Sequence, residues 1–260
     1  MKIYKLIFFG NGSTCYLTKI GINIAKSKSF LPEQKNSIFV SMNIFRETIF
    51  LLRKELKLEW REKYAISGIG LYVLSTIFIV HTANQKVEPK TWIVLFWIIV
   101  LFASVNAVVK SFVQESGNRQ LYYYQLANPT AILLSKILYN TLLLLLLSTL
   151  SFITFGFIAG NPIEDYEIFF LAIFLASLGF SITFTFISAI AGKTDNSSTL
   201  MAILSFPLVI PILLLLLKLS ANALPIFNDT NIDSDITILV SIDLVLLGLA
   251  LVLFPFLWRD

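Results

Sequence analysis

Residues 131–158 read AILLSKILYNTLLLLLLSTLSFITFGFI, and Lys136 is the only charge among them. A helix crossing about 30 Å of hydrocarbon at 1.5 Å per residue needs roughly 20 predominantly apolar residues, and this run exceeds that. A membrane-spanning barrel strand would be about half as long and would alternate apolar with polar positions. Neither property is present. Lipid offers no partners for an exposed backbone, so the run must close its own hydrogen bonds and is read as a helix.

Five further runs of the same character flank it: Ala65–Thr82, Trp92–Val109, Tyr166–Ala191, Thr199–Leu219 and Ile236–Trp258. The composition agrees, being 57% hydrophobic and 14% charged, against about 45–50% and about 25% in an ordinary soluble domain. The expected fold class is therefore an all-α, multi-pass membrane protein with six transmembrane helices over residues 65–260, preceded by an amphipathic helix over 42–64.

That preceding helix shows in its own periodicity. Phe45, Ile49, Leu52, Leu56 and Trp60 recur every three or four residues, while Arg46, Arg53, Lys57 and Arg61 share another face. A charged helix ending in Trp60 and Tyr64 suits the membrane interface; a solvated cytoplasmic helix is the alternative. Residues 1–41 mix short apolar and polar pieces without a period and carry no assignment. Because organised patterning begins at Met42, a natural start at that methionine is a second expectation.

Orientation follows from the cations. Twelve of the 20 Lys and Arg residues precede Tyr64, and Lys110, Arg119, Lys136, Lys193 and Arg259 fall on the same side if the spans alternate. The opposite side holds Lys86, Lys90 and Lys218, together with acidic stretches at Glu164, Asp165 and Glu167 and at Asp229, Asp233 and Asp235. By the positive-inside rule both termini are expected in the cytoplasm. The basic charge is thus read as facing membrane lipid, and nucleic acid is not an expected partner.

Little chemistry is on offer. Cys15 and His81 are the only residues of their kinds, which excludes an internal disulfide and a zinc site of four Cys or two Cys and two His. Gly192-Lys193-Thr194 resembles the end of a phosphate-binding loop, but Ile187 occupies the position that needs the first glycine, and the triplet closes an apolar run instead of opening a helix. A helix C-cap is the better reading. Asp243 lies inside the sixth run, where a carboxylate has to face other helices, water or a cation; Lys218 is a candidate partner. The Pro207/Pro211 pair is expected to bend the fifth helix.

Several strings carry a family resemblance: LLRKELKLEWREKYA before the first run, QESGNRQLYYYQL and NPTAILLSKILYN after the second, STLMAILSFPLVIP in the fifth, and the closing LFPFLWRD. In order and topology, Ile44–Asp260 resembles the membrane (B) subunit of the haem-exporter ABC system of cytochrome c maturation, system I, in its Bacteroidetes-type branch. The resemblance implies a permease in the bacterial inner membrane that is not itself an enzyme. It implies partners as well: a separate ABC ATPase subunit, a haem-handling membrane protein with a tryptophan-rich motif, and a small one-span subunit. Haem would be handled by the complex, with no cofactor bound by this chain alone and no metal or catalytic residue expected. The cytoplasmic segment 110–130 would dock on the ATPase, with Glu115 and Arg119 making charged contacts and Gly117 and Asn118 allowing a turn. The implied function is to couple ATP hydrolysis to release of a haem-loaded chaperone. A self-contained secondary transporter with Asp243 in its pathway is the alternative.

Overall fold

The computed structural model describes residues 44–61, 63–83, 87–108, 128–192, 197–224 and 231–259. They form seven helices, and no strand occurs among them: α1 Ile44–Arg61, α2 Lys63–Ala83, α3 Pro89–Val108, α4 Pro129–Ala159, α5 Tyr166–Ala191, α6 Ser197–Ala221 and α7 Ile232–Arg259. Each apolar run read from the sequence is one helix, and the amphipathic stretch is another. Some boundaries move: α1 runs to Arg61 and Lys63 opens α2, so Tyr64 belongs to the second helix, and α3 and α7 begin at Pro89 and Ile232, three and four residues before their apolar runs. Five helices, α3 to α7, contain stretches long and apolar enough to cross a membrane, whereas the apolar part of α2 is the shorter Ser67–Thr82.

The helices form a bundle around α5, which packs on α3, α4, α6 and α7. From Gly179 to Ala189 every residue of α5 is buried, so this half of the helix presents no outer face and stands at the centre of the bundle. Its small residues, among them Ala172, Ala176, Ser177, Gly179 and Ser181, let neighbouring backbones come close, which is how helices associate where lipid removes the hydrophobic drive.

The outer helices show the converse. On α4 the exposed side chains Leu138, Leu142, Leu146, Leu150, Ile153 and Phe157 follow one another at intervals of three or four residues. They make an apolar stripe along a helix whose opposite side is core. Leu71, Leu74, Phe78 and Ile79 do the same on α2, and Leu244, Val245, Leu249 and Val252 on α7. Apolar surface of that extent needs lipid against it. The chain is a multi-pass membrane protein. Hydroxyls within the spans turn back to the carbonyl one turn earlier, as in Thr141 to Ile137, Ser151 to Leu147 and Ser241 to Thr237, so few polar groups are left facing hydrocarbon.

The helix ends are set by local chemistry. Asn128 caps α4, its Oδ1 accepting from the Thr130 amide at 3.1 Å, and Pro129 takes the first helical position where no amide donor is needed. The far end of α4 closes on Gly160 at φ +82°, a left-handed conformation that suits glycine. Asp165 caps α5 by accepting from the amides of Glu167 and Ile168, and Glu167 adds an acid to the positive end of that helix. At the other end Gly192 is the C-cap, in right-handed conformation, with its amide donating to the Ser188 carbonyl at 2.9 Å. Helix α6 continues through both Pro207 and Pro211.

Candidate functional site

Two places gather the polar residues that the bundle does not need for its own backbone. One is the junction of α1 with the start of α4; the other is the interior around α5.

At the junction, Glu47 of α1 accepts through Oε1 from the Asn128 amide at 2.8 Å. Leu51 of α1 packs with Ala131 and Ile132 of α4 in a small apolar cluster separate from the main core. Thr48 is buried on the same side of α1. The residues that lead into α4 are thus held by α1 through one charge-assisted hydrogen bond and one apolar contact. Arg46, Arg53 and Lys57 are exposed, while Trp60 and Arg61 lie in the last turn of α1. Phe45 and Leu56 of the apolar stripe are 73% and 43% exposed, whereas Leu52 of the same stripe packs against the main core. Glu115, Gly117, Asn118 and Arg119 fall outside the described residues, as does the rest of 110–127.

In the interior, Asn140 of α4 donates through Nδ2 to Thr185 Oγ1 of α5 at 2.8 Å, and Ser181 Oγ donates to the Ile137 carbonyl at 2.7 Å. These bonds tie α4 to α5 about one turn apart. Asp243 of α7 lies on the other side of α5, 5% exposed. It sits against Gly179 so closely that a Cβ built on that glycine would lie 2.5 Å from Oδ1. Neither carboxylate oxygen has a hydrogen-bond partner among the described residues. Lys218, the partner expected from the sequence, bonds Asp235 Oδ1 at 2.9 Å instead. The reason is depth: Asp235 stands in the first turn of α7, level with the end of α6, whereas Asp243 is eight residues further on, about 12 Å along the axis. His81 lies in the last turn of α2, and among the described residues no three His, Cys, Asp or Glu side chains come together as metal ligands would.

The far end of the bundle is aromatic. Trp92 stacks on Phe155 and Phe96 with ring centroids 4.8 and 5.5 Å apart, and Phe152 and Phe169 close the group. Trp97 Nε1 donates to Ser220 Oγ at 2.9 Å, joining α3 to α6. The amides of Glu164 and Asp165 both donate to the Ala223 carbonyl. This end is cross-linked through every helix from α3 to α7.

Reasoning from the sequence passed over four of these residues. Asn128-Pro129 was readable as a cap followed by a first helical position, but not Glu47 as the group that reaches it, 81 positions earlier. A glycine inside an apolar run, such as Gly179, signals a close approach; it does not say what approaches. Trp97 and Ser220 carry no local mark at all.

Residues 46–210, well over half of the chain, match the family model described as ABC-2 type transporter. The match begins in α1, runs through segment 110–127 and ends within α6. No curated protein matches this chain.

Proposed function

This chain belongs to the ABC-2 type transporter family, and on that premise we propose that it is the permease of a haem-delivery complex serving cytochrome c maturation. Family domains of this kind are the membrane components of transporters, so the chain is an ABC transporter permease that works with an ATPase subunit, not a self-contained secondary transporter.

The observation that carries the mechanical part of the reading is the junction at Asn128. Segment 110–130 enters α4 at a residue that Glu47 holds. A push on that segment by the ATPase reaches α4 and α1 together, and Asn140 and Ser181 pass it to the central α5. Glu115 and Arg119 are the proposed contacts with the ATPase, and Gly117 and Asn118 are residues that would allow a turn between them. Haem delivery itself rests on the resemblance of Ile44–Asp260 to the system I membrane subunit. With it come the proposed tryptophan-rich haem-handling partner, the one-span subunit and a bacterial inner-membrane location. Haem belongs to the complex in this reading, and no residue of this chain is assigned to it.

We also take α2 as a sixth span. It is 21 residues long, about 31 Å at 1.5 Å per residue, and packs on α3 and α4. Six alternating spans bring both termini to the cytoplasmic side with most of the cations, and α1 then lies at the cytoplasmic interface.

The test is replacement of Glu115 and Arg119 together in the assembled complex. Expected are normal membrane insertion, loss of ATPase co-purification and loss of covalently attached haem in c-type cytochromes. Retained ATPase binding with normal turnover would refute the coupling segment. Intact c-type cytochromes in cells lacking this chain would refute haem delivery while leaving the permease reading in place.

A further inference from the structure

A charged carboxylate inside a membrane span needs a cation or hydrogen-bond donors beside it. Asp243, near the middle of α7 and buried, has neither oxygen hydrogen-bonded among the described residues. Helix α7 packs on α4, α5 and α6, and none of them supplies the missing charge. From Ile168 to Ala191, α5 has no ionisable side chain. On α6 the ionisable group is Lys218, which bonds Asp235. Lys136 and Tyr139 are buried on α4, and neither donates to an Asp243 oxygen. Asp233 and Asp235 stand in the first turn of α7 itself, well away along the axis.

Space at the carboxyl is short as well. Its Oδ1, Cγ and Oδ2 lie 2.5, 3.2 and 3.3 Å from the place a Cβ on Gly179 would take. On the α5 side, then, even a methyl group is excluded. A metal cation gathers about six oxygen ligands around itself, whereas a proton needs no cavity.

One further group fits a proton. Thr183 is 1% exposed, and its Oγ1 has no hydrogen-bond partner among the described residues. Neighbouring hydroxyls of α5 are engaged: Ser177 donates to the Ile173 carbonyl and Ser181 to the Ile137 carbonyl. Thr183 follows Gly179 by four residues, one turn on and about 40° round the helix. Side chains of a helix lean back toward the preceding turn, which carries this hydroxyl toward the level at which Asp243 meets Gly179. A hydroxyl oxygen there can accept from a carboxylic O–H.

We propose that Asp243 is a proton-binding site of the closed bundle, with Thr183 as the acceptor for its carboxylic O–H. The proton stays while α7 lies on α5. When the two helices part and water reaches the carboxyl, the O–H bond breaks, the proton passes to water and the carboxylate left behind is solvated. Closure of the seam takes a proton back. This rests on the reading of α7 as a membrane span, and not on the ATPase partnership or on haem delivery.

The experiment uses the full-length protein in nanodiscs of neutral lipid, with infrared spectra and thermal unfolding followed across pH. Expected is a carboxylic C=O band that Asp243→Asn removes and that Thr183→Val shifts to higher frequency by taking away the acceptor. The folded protein then binds one proton more than the unfolded chain, so this contribution to stability is present at low pH and lost as pH rises through the disappearance of the band. Asp243→Asn should flatten that dependence. A carboxylate at every pH where the protein is folded would overturn the site. Stabilisation of the wild type, but not of Asp243→Asn, by sodium chloride over choline chloride would also overturn it and assign the carboxylate to a metal cation. An unshifted band in Thr183→Val would remove the acceptor role. Should Asp243→Asn fail to insert, the Thr183→Val shift and the pH profile of the wild type decide the matter.

Discussion

The two ends of the bundle are built differently. At the end where α3 and α5 begin, Trp92, Phe96, Phe152, Phe155 and Phe169 interlock, Trp97 bonds Ser220, and Lys218 bonds Asp235. At the end where α4 begins, α1 is attached through Glu47 to Asn128 and through Leu51 to Ala131 and Ile132. Packing that engages every ring on several sides resists relative motion of helices, because interiors are close-packed and do not deform gradually. The hold on α1 is peripheral by comparison, a charge-assisted hydrogen bond and an apolar cluster that stands apart from the main core. On the coupling proposed through segment 110–130, this contrast would separate a pivot from a lever.

The contrast is open to direct test. Trp92→Ala, at the pivot, is expected to have the largest effect, about 3–5 kcal/mol by the usual cost of deleting a buried aromatic ring. Unfolding in mixed detergent micelles measures it, and a loss below about 1 kcal/mol would show that the aromatic group is not the anchor. Gly179→Ala comes next, at about 1–3 kcal/mol for overpacking, since the new methyl group would meet Asp243. Combining it with Asp243→Ala should recover most of the loss, and a double-mutant cycle without coupling would place the strain elsewhere. Glu47→Ala, at the lever, should cost only about 1 kcal/mol of stability yet lower transport-coupled ATP turnover more than Trp97→Phe does. Equal effects of the two on turnover would erase the distinction between the ends. Lys218→Gln should be the mildest, at about 1 kcal/mol, because the lysine side chain is 52% exposed and glutamine can still donate to the buried Asp235.

The sequence and the structure divided the work unevenly. Helix positions were legible because a run such as 131–158 can satisfy its backbone in lipid in only one way, and the periodicity of Phe45, Ile49, Leu52 and Leu56 marks α1 without reference to anything distant. The number of spans was less legible: α2 is apolar only over Ser67–Thr82, and hydropathy weighs length without seeing which helices lie alongside. Of the site, the charged face of α1 and the unusual place of Asp243 could be read in advance. The pairing of Lys218 could not, and proximity in the sequence pattern pointed to the wrong acid.

What the sequence determined by itself, then, was the class of the protein and the register of its helices, since those depend on the solvent and on neighbours within four residues. Only the tertiary structure decided that α5 is the centre, that Gly179 receives Asp243, and that Glu47 reaches Asn128. Those facts depend on which helix faces meet across the bundle, and among helices that are apolar all round nothing local distinguishes one face from another.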